Sequence, residues 1–89
     1  MNYQEDKDKF KELLNEEYSW PARYTFKFIV KSEYQSEVEG LFKDKVEIVI
    51  KPSSGDKYVS VSIFAQMQSA DDILAIYDAA TTIQGIISL

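Results

Sequence analysis

The residues best suited to chemistry stand together in Lys51-Pro52-Ser53-Ser54-Gly55-Asp56-Lys57. Two hydroxyls, two ammonium groups and backbone N–H groups near a glycine are the ingredients of an anion site. Lys51, Ser53, Ser54, Gly55 and Lys57 therefore form a candidate anion or metabolite loop. The spacing is not that of a nucleotide loop, which requires G-x-x-x-x-G-K-[ST]. A plainer reading is preferred: Pro, Ser and Gly turn the chain, and the hydroxyls cap its backbone.

Other chemistry is poorly supplied. The chain has no cysteine and no histidine. Disulfides, thiolate metal sites, the commonest general base and the commonest transition-metal ligand are all excluded. Carboxylates occur side by side at Glu5-Asp6, Glu16-Glu17 and Asp71-Asp72. Neighbours in a helix do not face each other, so these read as solvated surface or as partners of a helix dipole. No catalytic residue, metal ligand or cofactor is expected.

The charge narrows the partners. Fifteen acidic against ten basic residues give a net charge of -5. Phosphate neutralisation usually needs a basic face, so nucleic acid is not the expected partner, although a local basic patch is compatible with this total. The first ten residues are highly charged, without the apolar run of a signal peptide, and no later run approaches a membrane span. A soluble cytoplasmic protein is expected.

The elements that position the loop follow from periodicity. Residues 46–67 read as two strands around it. Val46, Ile48 and Ile50 alternate with Glu47, Val49 and Lys51; Val59, Val61, Ile63 and Ala65 alternate with Ser60, Ser62, Phe64 and Gln66. In the simplest register Val49 opposes Ser60. An earlier strand spans residues 24–31, with Tyr24, Phe26, Phe28 and Val30 on one face and Thr25, Lys27, Ile29 and Lys31 on the other. Arg23 precedes it.

Three segments read as helices. Residues 4–17 carry the narrow stripe Phe10, Leu13 and Leu14. They form an arm over residues 1–18, ended by Ser19-Trp20-Pro21, with Trp20 as a hydrophobic plug. Residues 32–43 form a weaker helix on Tyr34, Val38, Leu41 and Phe42, with Gly40 inside it. A third follows Ser69 as N-cap, with Asp71 and Asp72 in its first turn and a face of Ile73, Ile76, Tyr77 and Ala80. Residues 83–89 close the chain as a short strand.

Strand, helix, strand, strand, helix, strand is the ferredoxin-like α+β order. Right-handed crossovers give a four-stranded antiparallel sheet in the order 4-1-3-2, with both helices on one face, over residues 19–89.

Lys51-Pro52-Ser53-Ser54-Gly55, then Tyr58, then Ser60-Val61-Ser62, resembles the signature of the YbeD-like family of small bacterial proteins. Trp20-Pro21, Tyr24 and Lys27 are similar to a second element of that family, an aromatic-Pro pair before the first strand. The resemblance runs over residues 13–89 and implies a ferredoxin-like fold, similar to the small regulatory ligand-binding domains called ACT domains. The family is one of unknown function. The segment between the first two strands is shorter than the pattern and the N-terminal arm longer.

Two functional classes follow. The first is a non-enzymatic regulatory or protein-interaction module. It would act through the sheet face away from the helices, where Ile29, Val49 and Phe64 interrupt an otherwise polar pattern. Its occupant would be an unknown protein partner or a second copy of the chain. The second is a small anion-binding protein or enzyme centred on the loop. An RNA-binding use of Tyr58 and Phe64 is disfavoured by Ser60 and Ser62 between them. An acylphosphatase-like use lacks a glycine-rich loop with an arginine near the first strand.

Overall fold

The computed structural model describes residues 3–43, 46–53, 55 and 57–89. Ser54 of the candidate loop lies outside them, as do Asp44, Lys45 and Asp56. The elements run α1 Tyr3–Glu17, β1 Ala22–Lys31, a 3-10 turn Ser32–Tyr34, α2 Gln35–Glu39, β2 Glu47–Pro52, β3 Tyr58–Met67, α3 Ala70–Ala80 and β4 Ile87–Ser88. The sheet order is β2-β3-β1-β4, antiparallel throughout. This is the ferredoxin-like arrangement expected from the order of elements.

Alternation fixes which face is buried. Phe26, Phe28 and Val30 on β1, Val61 and Ile63 on β3, Val38 on α2 and Ile73 on α3 have no exposed surface. Each such side chain contributes roughly 1.5–3 kcal/mol by leaving water. Ile48 and Ile50 point the same way but are only half-buried, because β2 is an edge strand. The helix after β3 starts where its chemistry dictates: Ser69 Oγ accepts the Asp72 N–H at 3.1 Å. It stops at Ala80, and the β-branched Thr81 and Thr82 turn their hydroxyls back onto the carbonyls of Asp78 and Ala79.

Four expectations need correction. The segment between β1 and β2 is not one helix over 32–43. It is a 3-10 turn and five residues of α2, with Gly40 at the C-cap donating its N–H to Ser36 O. Glycine is a poor helix residue, and Leu41 and Phe42 reach the core from beyond that stop. Secondly, β1 begins at Ala22, so Arg23 lies inside the strand. Thirdly, β4 is two residues long: Gly85 takes φ +69°, a conformation that favours glycine, and the pairing starts only after this bend. Ile83, before the bend, is buried and pins the turn.

The fourth correction concerns the arm. Phe10 and Leu14 do face the core, but Leu13 is 56% exposed. α1 packs chiefly on α3, along an i, i+4 row, and Leu13 falls off the side of that row. Phe10 meets the Tyr77 ring edge-on at 5.8 Å, Lys7 pairs with Asp78, and Lys11 Nζ lies 2.9 Å from Asp71. At the end of α1, Tyr18 stacks on Trp20, whose indole N–H donates to Asn15. α1 therefore thickens the helical layer and does not cross the opposite face of the sheet.

Candidate functional site

The face away from the helices is built by register. Five rows cross the sheet. Gln66 and Arg23 form the first; Glu47, Phe64 and Thr25 the second; Val49, Ser62 and Lys27 the third; Lys51, Ser60, Ile29 and Ile87 the fourth; Tyr58 and Lys31 the fifth. Val49 thus opposes Ser62, not Ser60. The hairpin closes with Ser53 N–H on Tyr58 O at 2.8 Å, which sets the pairing two residues from the simplest register. A slip of two keeps every side chain on its expected face.

The three apolar residues expected here are separated. Val49 sits diagonally beside Phe64, while Ile29 lies across Ser60 on the far side of β3. Ile29 has a different neighbour, Ile87, directly opposite on β4 and 51% exposed. Leu89 continues this edge, its N–H donating to Lys27 O. Ile87 and Leu89 were not singled out in the sequence. Their signal was there once Gly85 is read as a bend, because a strand starting after it must place residues 87 and 89 on one face.

The second feature not singled out is charge. Arg23, Lys27 and Lys31 recur at four-residue spacing on β1, and an even spacing keeps them on one face. Lys51 joins them from β2. Arg23 is engaged: its guanidinium lies 2.7 Å from Glu47 and 5.3 Å from the centre of the Phe64 ring. Among the described residues, no carboxylate pairs with Lys27, Lys31 or Lys51.

The candidate anion loop resolves differently. Ser53 Oγ accepts the Tyr58 N–H at 3.1 Å, so this hydroxyl closes the turn. Gly55 has φ +85°, which a side chain would strain, and Lys57 places its ammonium 6.0 Å from the Tyr58 ring. Lys51 belongs to β2 and to the sheet face. Ser32 N–H donates to Lys57 O, which ties the loop to the end of β1.

Elsewhere the groups do not converge on chemistry. Among the described residues no three carboxylates gather. Asp71 pairs with Lys11. A groove of about 660 Å³ beside α3 is lined by Leu41, Phe42, Val46, Met67 and Ile76 on its apolar side and by Lys43, Gln66, Gln68 and Asp72 on its polar side. The half-buried hydroxyls of Tyr24 and Tyr77 bond to each other at 2.9 Å. Burial, and then this bond, push the Tyr77 phenol well above its ordinary range. Tyr77 packs against Phe10, Phe26 and Phe28 as well, so it joins α1, α3 and β1.

A family model described as "Protein of unknown function (DUF493)" matches residues 15–89. The chain belongs to this family. The match starts inside α1 and takes in the whole sheet, as the YbeD-like resemblance had implied. Neither the curated proteins nor the solved structures include a match to the chain. Among the described residues, no helix of this DUF493 member is long and apolar enough to cross a membrane.

Proposed function

We propose that this DUF493 chain is a non-enzymatic regulatory or protein-interaction module of the cytoplasm, working through the open face of its sheet. One observation carries the reading. The element best able to shield that face, α1, is committed to α3 on the other side, which leaves Val49, Ile87 and Leu89 in solvent. Val49 beside Phe64 at one edge, and Ile87 and Leu89 beside Ile29 at the other, make two small apolar groups, and grouped apolar side chains mark a contact surface where single ones do not. The alternative, an anion site in the loop, is less well supported, because Lys51 belongs to the sheet face and the Ser53 Oγ is held at the hairpin turn by the Tyr58 N–H.

The test is a photo-crosslinking residue at Val49, with the same residue at Glu12 on α1 as control, used in extract of the native host. A discrete adduct from Val49 that the Glu12 control does not give supports docking on the sheet. No adduct, or the same adduct from both positions, sinks it.

A further inference from the structure

The charges of this molecule are sorted by layer. The helices and the 3-10 turn hold twelve acidic residues against three lysines, Lys7, Lys9 and Lys11. The four strands hold four cations, Arg23, Lys27, Lys31 and Lys51, against a single acidic residue, Glu47. All four cations lie on the open face by register. A chain of net charge -5 thus presents a cationic sheet.

The same face has relief. Ser60 and Ser62 are the small residues on β3, and they are flanked by Val49 and Lys51 on β2 and by Lys27 and Ile29 on β1. Phe64 stands at one end of the pair and Tyr58 at the other. This is a shallow trough along β3. Its walls are two strand spacings apart, about 9.6 Å, close to the width of one extended or helical segment. The hydroxyls of Ser60 and Ser62 have no protein hydrogen-bond partner among the described residues. They are free to bond whatever lies in the trough.

We infer that the trough seats an acidic, aliphatic-bearing segment of another protein. Charge complementarity selects the sign: carboxylates would sit over Lys27, Lys31 and Lys51, which pair with no carboxylate among the described residues. The aliphatic residues Val49, Ile29 and Ile87 select the rest. Nucleic acid would need a run of exposed rings for its bases; here the Phe64 ring is covered by the Arg23 guanidinium, and Tyr58 is the one exposed ring among the described residues of this face, with the Lys57 ammonium beside it. This inference rests on the docking reading above and adds to it the chemistry of the partner.

Fluorescence anisotropy tests it with a labelled peptide of alternating Glu and Leu, a Lys-Leu counterpart and an oligouridylate. The Glu-Leu peptide should bind, and more weakly as salt rises. Lys27→Glu with Lys51→Glu should weaken it about tenfold, because two attractions become repulsions. Ile87→Ser should weaken it by a smaller factor, on the order of threefold. Circular dichroism checks the fold, and the Lys→Ala pair replaces the Lys→Glu pair if the latter unfolds. Equal binding of the Lys-Leu peptide, no binding of the Glu-Leu peptide at low salt, or tighter binding of the oligouridylate would each overturn the inference. The crosslinking experiment separates the two levels. A Val49 adduct that survives Lys27→Glu with Lys51→Glu means that the face docks a protein, but not an acidic one. The absence of any Val49 adduct fails the docking reading itself.

Discussion

The two faces of β1 and β3 are made from the same strands, one residue out of step, and they obey different physics. On the inner face, Phe26, Phe28, Val61 and Ile63 have no exposed surface, and their neighbours dictate their shapes. On the outer face, Lys27, Ser60, Ser62 and Phe64 meet solvent wholly or in part. The inner face holds the fold together. The outer face is nearly free of that duty, so its residues can answer to something outside the molecule.

The comparison breaks most sharply at one pair of neighbours. Ile63→Ala should cost about 2–5 kcal/mol in chemical denaturation, since it opens a cavity in a packed layer. Ser62→Ala, one residue away, should stay within about 0.5 kcal/mol. Equal losses would mean that the outer face is structural after all.

Alkaline pH separates the faces in another way. Tyr77 keeps its proton when folded at pH values where the unfolded chain, with an ordinary value of 10.0, gives it up. Its contribution is complete below pH 10 and is lost as pH rises above it, because there the unfolded state binds fewer protons than the folded one. Thermal melts should therefore show Tyr77→Phe declining less steeply than wild type above that pH. Parallel declines would mean that its burial does not govern this titration.

Turn chemistry gives smaller effects. Ser53→Ala should cost about 1 kcal/mol by leaving the Tyr58 N–H without its partner. Phosphate should raise the melting temperature of neither form; a phosphate-dependent rise in wild type alone would restore the anion-site reading. Gly85→Ala should cost roughly 1 kcal/mol, because φ +69° is costly for any residue with a Cβ. Gly40→Ala, at an ordinary helical φ with its nearest contact at 3.4 Å, should be neutral or slightly stabilising. Val49→Lys, at an exposed edge-strand position, should change stability least, within about 0.5 kcal/mol. A large loss there would mean that this edge of the outer face is part of the packing.

Much of the inner face was legible in the sequence, because burial on one side writes itself as alternation. Phe26, Phe28, Val30, Val61 and Ile63 were all placed correctly by period alone. The N-cap at Ser69 was legible for a local reason: one side chain satisfies a backbone group three residues on. The outer face was harder to read. Ile29, Val49 and Phe64 were assigned to it, but which of them touch depends on the hairpin register. That register was set by a hydrogen bond between Ser53 and Tyr58 which no alternation encodes. The basic row was missed because total charge averages Lys27, Lys31 and Lys51 with carboxylates on the far layer. The exposure of Leu13 was hidden for a similar reason: a helical stripe shows which residues are apolar, not how wide its partner is.

The sorting of charge between the two layers makes the molecule an electric dipole as well as an acid. In a uniform field, or near a charged wall, it should turn before it binds. On a cationic resin or a positively charged sensor surface it should settle on its helices, with α1 and α3 against the support. The sheet would then face the liquid in nearly every molecule. Simple adsorption would give an oriented monolayer without any tag, and on an anionic surface the same molecules would bury the trough and fall silent.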